Sequence, residues 1–451
     1  MEKKIFGTDG IRGKVNQYPI TYQFFNRFAF ALVEFLNKKS KIKIVLANDT
    51  RRSSDMIEAS LASVFYSLGV DCVFLGSVPT PSVSYITKKI KADFGIMISA
   101  SHNLFHDNGI KVFKKNGEKL SDREEILLEK KIEKISNLNL SDSKDIGKKI
   151  DYKKPLDDYK EIINGIISKN TDLSGLRVVL DCANGAASEF APKIFTDYGV
   201  KILTESNSPN GQNINKFCGA TYPDKIIKSV LKQKADIGFA LDGDSDRLIM
   251  CDANGRLIDG DQILAITAIS MLKQNKLKGN AVVSTKMSNL GLRDYLKSFS
   301  LNLFRSDVGD KNVIEMMKLK RCNLGGEQSG HIIFSDFSST GDAILSALQI
   351  LTILKGQNYR PDRLLEKFIR YPQKLVNLKL ESNISLILKN QKLKEIITLI
   401  KKSLIDDGSL LIRKSGTENL LRIMVQSKSN SKVKKIINEL KTCIIDIDKK
   451  K

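Results

Sequence analysis

At 451 residues the chain is long enough for about three or four domains, and 41% hydrophobic with 27% charged residues describes a globular protein with a sizeable core. The formal net charge of +22 is large, but the lysines are spread along the chain, with local excess around 129–160 and 427–451. No arginine-rich stripe interleaved with aromatics marks a nucleic-acid module, so the charge reads as a solvated lysine surface and no nucleic-acid partner is expected. The six cysteines (Cys72, Cys182, Cys218, Cys251, Cys322 and Cys443) lie far apart, which excludes a disulfide framework or structural zinc site. A reducing, cytoplasmic setting fits. The start, Met1-Glu-Lys-Lys-Ile-Phe-Gly-Thr-Asp9, carries no signal-peptide core.

In chain order, the most apolar segment is Ile20–Leu36, but it contains Asn26, Arg27 and Glu34 and falls short of a membrane span. It reads as an amphipathic core helix, and no membrane contact is expected. One pattern then occurs three times. Lys43-Ile-Val-Leu-Ala47, Arg177-Val-Val-Leu-Asp181 and Ala281-Val-Val-Ser284 each read as a short buried strand. Each leads through a helix-like segment to a second strand, at Cys72–Leu75, Val200–Leu203 and Leu301–Phe304. Another helix-like segment leads to a third strand and a polar loop, and those loops are Ser99–Asn103, Asp242–Arg247 and Gly325–His331. Strands alternating with helices imply parallel α/β sheets, each offering one loop at the carboxyl edge where ligands bind. Lysine-rich Lys134–Lys154 reads as a linker between the first two units. Around Pro372 the pattern changes to strand-like Lys374–Leu380, helix-like Leu393–Leu404, and a polar loop between Leu410-Leu411 and Leu421–Val425. That is a smaller α+β domain. The expected domains are 1–155, 156–258, 259–370 and 371–451.

The loops carry the chemistry. Phe94-Gly-Ile-Met-Ile98 delivers Ser99-Ala-Ser-His-Asn103, where Ser101 is the candidate carrier of a phosphoryl group and His102 helps to hold it. Taken alone, the same window also reads as a capped turn. Leu241-Asp-Gly-Asp-Ser-Asp-Arg247 places Asp242, Asp244 and Asp246 at i, i+2 and i+4, on one side of an extended strand end. Carboxylates so close repel, and a divalent cation removes that cost; three of them, leaving room for water or a phosphate oxygen, suit Mg²⁺. An EF-hand is excluded, because Arg247 holds its glycine position and Ala253 its bidentate-Glu position. Arg413-Lys-Ser-Gly-Thr-Glu418 can cradle a phosphate dianion with help from Arg422, or cap a helix through Ser415 or Thr417. Gly325-Gly-Glu-Gln-Ser-Gly-His331 offers donors and acceptors for sugar hydroxyls and an amino group. Its serine lies one position late for a nucleophile elbow, and no Walker A loop or dinucleotide fingerprint is present. All three histidines, His102, His106 and His331, fall in polar loops.

Together with Phe6-Gly-Thr-Asp-Gly-Ile-Arg-Gly13, Asp107-Asn-Gly-Ile-Lys111 and Thr340-Gly-Asp342, these loops resemble the α-D-phosphohexomutase superfamily over essentially the whole chain. The resemblance implies an α/β protein: three similar mixed α/β domains plus a smaller C-terminal α+β domain around a central cleft. It implies a phosphoserine at Ser101, with Asp242, Asp244 and Asp246 holding Mg²⁺ against its phosphate. Arg247 and Lys111 would stabilise charge or serve in proton transfer, with Arg12 and His102 close by. Glu327, Ser329 and His331 would read the sugar, and Arg413, Ser415, Gly416, Thr417 and Arg422 would bind the non-reacting phosphate. The implied reaction moves a phosphoryl group between O6 and O1 of a phosphosugar through a sugar bisphosphate, an isomerase-class transfer. Glu-Gln-Ser-Gly-His is the form typical of the branch that acts on glucosamine phosphates. Conversion of glucosamine 6-phosphate to glucosamine 1-phosphate, feeding amino-sugar and cell-wall precursor synthesis, is therefore expected. A phosphomannomutase or phosphoglucomutase is the alternative, and a homodimer is left open.

The chain also departs from the superfamily pattern. Leu104 and His106 stand where Pro and Tyr are usual, and Ser245 replaces a Gly or Ala. Ala220 and Tyr222 alter the usual Cys-Gly-Ser-Thr-His-Pro run, and Asn419 replaces a Pro. None removes a group the chemistry needs. Two other classes make distinct forecasts. A nucleic-acid-binding protein would show tight, salt-sensitive binding, and a metal-dependent phosphatase would release inorganic phosphate in step with substrate loss.

Overall fold

Each repeated unit builds one sheet in which three parallel strands are followed by an antiparallel return, in a computed structural model that describes residues 5–38, 40–134, 140–168, 171–356, 360–414 and 420–449. In the first sheet Asp71–Ser77, Lys43–Asn48 and Phe94–Ile98 run parallel, and Asp107–Lys114 returns against Phe94–Ile98. The second repeats this with Lys201–Glu205, Arg177–Asp181 and Ile237–Leu241, then Leu248–Asp252. The third has Asn302–Ser306, Ala281–Thr285 and Leu324–Gly326, then Ile332–Phe334. The parallel sheets expected from strand–helix alternation are thus mixed. Each chemistry-bearing loop is too short for a crossover, so the chain folds straight back on itself. A loop held by a strand at both ends is better fixed than one leading into a helix.

Two further expectations change. Lys149–Asp151, within the supposed linker, pairs with Asp71–Ser77 as an edge strand of the first sheet. Gly325 and Gly326 belong to a strand, so the third polar loop begins at Glu327. The helix expected near Ile20–Leu36 spans Tyr22–Leu36; Thr21 caps it by accepting from Phe24 N–H, and it buries Phe24, Phe25, Phe28 and Leu32.

One buried apolar cluster runs from Val45 and Val83 through Tyr159 and Phe195 to Leu348 and Leu351, so the first three units share a core. The last unit has its own, around Leu421, Ile423 and Leu440. It consists of the antiparallel strands Gln373–Lys379, Leu420–Ser427 and Gly408–Lys414, with the helices Gln391–Ser403 and Asn430–Lys449. Polar bonds join it to the third unit: Asn289 and Tyr371 exchange two at 2.9 Å, and Leu290 N–H donates to Gln426 Oε1 at 2.8 Å. No helix among the described residues is long and apolar enough to cross a membrane.

Thr340-Gly-Asp342 has a structural task. Asp342 caps the helix Ala343–Lys355 by accepting from Leu345 N–H at 2.9 Å, and it also accepts from Tyr159 Oη–H at 2.7 Å. Burial pushes its carboxyl up to about 6. The unfolded chain ionises this group at lower pH than the folded chain, so its contribution to stability falls as pH rises through that window. Asp342→Asn keeps an acceptor for both donors and removes the titration. The variant's Tm relative to wild type is expected to rise between pH 4 and pH 7, by the equivalent of up to about 3 kcal/mol. A Tm difference independent of pH would contradict this.

Candidate active site

Phe94–Ile98 is buried along its whole length and ends at Ser99. Ser101 then adopts φ 52°, the left-handed region that a non-glycine residue occupies only when its surroundings hold it there. The restraints are plain. Ser101 N–H donates to Ser99 Oγ at 2.8 Å. Arg51 donates to the carbonyls of Ser101 (3.1 Å) and Asn103 (2.5 Å), and Asn215 donates to the same two at 2.8 and 2.9 Å. Arg51 is wholly buried and paired with Asp49. Sequence reasoning missed both Arg51 and Asn215. A signal for Arg51 was there, since Asp49-Thr-Arg51 puts opposite charges directly after a buried strand at the sheet's carboxyl edge.

So held, Ser101 Oγ–H donates to Asp242 Oδ2 at 2.6 Å. Asp242, Asp244 and Asp246 offer ligand oxygens that all lie within 4.8 Å of one another. They converge through a turn, and the expected alternation along an extended strand is not what brings them together. The strand stops at Leu241, Ser245 N–H donates to Asp242 O at 3.0 Å, and Ser245 itself takes φ 61°. Glycine, one of the residues usual at this position in the superfamily, takes that dihedral without strain; serine does not. Asp246 and Arg247 N–H groups both donate to Asp242 Oδ1 at 3.2 Å.

Lys111, on the first sheet's return strand, reaches Asp244 Oδ2 and Asp246 Oδ2 at 2.6 Å each and Asp9 Oδ2 at 3.0 Å. Asp9 also pairs with Arg12. The return strand sits close because Gly109 has no Cβ; one would stand 2.1 Å from Ile11 O. Burial and the carboxylates of Asp246 and Asp244 push Asp242 up to about 7. Burial alone would also raise Asp246, but Lys111 and His331 hold it well below the usual carboxylate range. Burial works against the Lys111 cation, yet Asp244, Asp246 and Asp9 keep it protonated far above neutrality. Asp244 Oδ1 and Asp246 Oδ1 are buried with no hydrogen-bond partner among the described residues. Two unsatisfied carboxylate oxygens beside a third carboxylate fit a small, hard cation that takes oxygen ligands.

Above this floor lies a cleft of about 370 Å³, lined by Arg12, His102, Arg247, Glu327, Ser329, His331, Arg413 and Arg422 together with Asp9 and Asp310. Glu327 Oε1 accepts from Gly309 N–H at 2.9 Å, and Ser329 Oγ–H donates to Oε2 at 3.4 Å. Gly341 N–H donates to His331 Nε2 at 2.9 Å, leaving the ring proton on Nδ1, which lies 3.6 Å from Asp246 Oδ1. Leu248 N–H donates to Gly330 O at 2.9 Å, tying the third loop to the strand that follows the acidic loop. Burial, with the Arg247 and Arg12 cations, pushes the His102 imidazole down to about 2, so it is neutral.

On the far wall Arg413 and Arg422 are direct cross-strand partners. Burial and the neighbouring Arg422 charge pull the Arg413 guanidinium below its ordinary value, and its Nε is buried without a hydrogen-bond partner among the described residues. Like charges set opposite one another destabilise a strand pair. A dianion would resolve that conflict. Ser415, Gly416 and Thr417, expected in the same clamp, lie outside the described residues. Leu104 and His106 stand away from the cleft: Leu104 is exposed, and His106, half exposed, borders a separate surface depression with Phe105.

Residues 3–139, 157–255 and 259–371 match the family described as phosphoglucomutase/phosphomannomutase, α/β/α domains I, II and III, and residues 375–442 match its C-terminal domain. The phosphoglucosamine mutase of Brucella ovis is 42% identical, covering 98% of this chain and 97% of the relative. That of Chelativorans sp. is 41% identical over 99% of both. Among solved structures, a phosphoglucomutase/phosphomannomutase family protein from Burkholderia thailandensis superposes with TM-score 0.80 at 24% identity, covering 98% of this chain and 96% of that one. The N-acetylphosphoglucosamine mutase of Aspergillus fumigatus, in complex with GlcNAc-6P and magnesium, superposes with TM-score 0.66 at 18% identity, covering 99% and 96%. At such identities these two likenesses speak for the fold.

Proposed function

Because the chain belongs to the phosphoglucomutase/phosphomannomutase family, we propose that it is a phosphomutase that interconverts glucosamine 6-phosphate and glucosamine 1-phosphate through a phosphoserine at Ser101 and a sugar bisphosphate. One observation carries the reading. Ser101, its Oγ 2.6 Å from Asp242 of the acidic triad, is buried directly beneath the His102 and Arg247 wall of a cleft whose lining also holds two adjacent guanidinium groups, Arg413 and Arg422. A mutase needs both. The donor must be restored at each turnover, and the phosphate that stays must be gripped while the other moves.

In the first half-reaction the P–O bond to Ser101 Oγ breaks as a new P–O bond forms to the free sugar hydroxyl. The hydroxyl's proton leaves the sugar oxygen and a proton returns to Ser101 Oγ, which gives the bisphosphate and a free Ser101 hydroxyl. In the second, the other phosphoryl group passes from the sugar to Ser101 Oγ, and the isomeric monophosphate remains. Such transfer is chiefly positioning and charge stabilisation. Asp242, Asp244 and Asp246 would hold Mg²⁺, which supplies charge neutralisation at the transferring group. Lys111, kept cationic by three carboxylates, acts as a fixed positive charge; Arg247 and Arg12 add to it from the cleft wall. His102, neutral beside them, contributes ring nitrogens without a competing charge. Glu327, Ser329 and His331 read the sugar's hydroxyls and amino group. Arg413 and Arg422, completed by Ser415, Gly416 and Thr417, hold the non-reacting phosphate in both orientations of the bisphosphate. We infer domain boundaries near 155, 258 and 370, and a cytoplasmic role in amino-sugar synthesis.

The test is a side-by-side assay of glucosamine, mannose and glucose 6-phosphates with Mg²⁺. The expected result is a preference for glucosamine 6-phosphate with almost no inorganic phosphate released. A clear preference for mannose would overturn the sugar assignment, and stoichiometric phosphate release would make the protein a phosphatase.

A further inference from the structure

Beneath and beside the cleft, six side chains from three sheet units close into a ring. Lys111 joins Asp246 at 2.6 Å to Asp9 at 3.0 Å. Lys119 joins Asp9, whose Oδ1 lies 2.5 Å from its ammonium, to Asp310. The His331 ring stands between the remaining two: its Nδ1–H faces Asp246 at 3.6 Å, and its Nε2, which accepts from Gly341 N–H, lies 3.5 Å from Asp310. Asp9, Asp310 and His331 line the cleft, but Lys119 does not: it is 8% exposed and stands behind both carboxylates. The mechanism above gives it no task, although a buried lysine is retained only where its charge is matched.

We propose that Lys119 is a positioning residue for phosphoryl transfer. It holds the Asp9 and Asp310 carboxylates in one geometry, and through them sets Lys111 and Arg12 on the phosphoryl side of the cleft and His331 on the sugar side. This rests on the mutase reading of the cleft. The division of oxygens supports it, since Asp9 gives Oδ1 to Lys119 and Oδ2 to both Lys111 and Arg12. With Lys119 gone, Oδ1 loses its anchor and the carboxylate turns towards the remaining cations, carrying them out of place. Asp310 Oδ2 is likewise held by the same ammonium and faces the imidazole. The seam itself has other ties, Lys311 to Glu125 and Lys318 to Glu118 at 2.6 Å, so Lys119 is not needed merely to keep the two units together. Its distinction is that both of its partners line the cleft.

Lys119→Met alone would strip a cation from two buried carboxylates and destabilise the fold. The paired variant Lys119→Met/Asp310→Asn removes one charge of each sign and leaves Asp9 with Lys111 and Arg12. Its Tm is expected to stay near that of wild type while kcat falls about 10- to 100-fold, the scale of an ångström-sized misplacement of catalytic charge. KM should change clearly less than kcat, because the Arg413–Arg422 clamp is untouched and only His331 shifts on the sugar side. Lys119→Arg keeps the charge and should keep kcat within about threefold. Should the pair not fold, Asp310→Asn alone, which leaves Lys119 on Asp9, should lower kcat about 10-fold with a smaller change in KM. A folded pair with wild-type kcat, a loss confined to KM, or a folded Lys119→Arg as impaired as the pair overturns the proposal. So does an unchanged kcat in Asp310→Asn. All ratios are taken on whichever hexose 6-phosphate the wild type converts. A wrong substrate assignment therefore shows in the wild-type assay, and a wrong role for Lys119 in the ratios.

Discussion

Replacing Ser101 by alanine is expected to lower mutase turnover at least about 1,000-fold, because the hydroxyl lost is the atom on which the phosphoryl group travels. The fold should scarcely notice. The left-handed backbone at 101 is held by Arg51, Asn215 and Ser99, and each of these contacts uses main-chain atoms of the loop. Among the described residues the side-chain bond deleted is the one from Oγ–H to Asp242, whose other oxygen still accepts from the Asp246 and Arg247 N–H groups. A Tm shift of about 1 °C, equivalent to about 1 kcal/mol, is expected. Turnover by coupled assay and Tm by calorimetry check both halves. Activity within tenfold of wild type would mean that Ser101 carries nothing.

Arg413→Ala is expected to act on binding. A guanidinium on a phosphate makes charge-assisted, often paired hydrogen bonds, and losing them should raise KM about 30- to 100-fold for both monophosphates. Stability should not fall, because Arg413 is half-buried beside Arg422 and the substitution relieves a like-charge pair. A variant with unchanged KM, or with a markedly lower Tm, would show that Arg413 serves the sheet rather than the substrate. The separate core of the C-terminal unit and its polar attachment through Asn289, Tyr371 and Gln426 are what a domain that moves over a bound intermediate requires.

Much of this was legible in the residues. Buried strands that end abruptly in Ser, Asp or Gly mark the three loops, and each loop stands at a sheet's carboxyl edge as its apolar approach implies. Asp242, Asp244 and Asp246 were recognisable because like charges at that spacing make no sense without a counter-charge. Lys111 was reached through the family resemblance, but its pairing with these carboxylates was not legible. Lys111 lies in an ordinary-looking strand, and its meeting with Asp244 and Asp246 spans 133 and 135 positions. Lys119 and Asp310 are 191 positions apart and resemble surface residues until the fold buries them. The antiparallel returns were missed for a local reason. Asp107–Lys114 and Leu248–Asp252 follow polar loops whose few residues give no hint of whether the chain turns back or crosses over. The turn that gathers the triad depends on one left-handed residue, Ser245, whose side chain gives no sign of the dihedral it takes.

The central claim is that Ser101 cycles between free and phosphorylated states. Peptide mass mapping of the purified protein, before and after exposure to substrate with Mg²⁺, tests it most directly. The account requires a labile phosphate on the peptide carrying Ser101, exchanging with substrate phosphate and absent in Ser101→Ala. A fully active enzyme in which Ser101 never carries phosphate would contradict it.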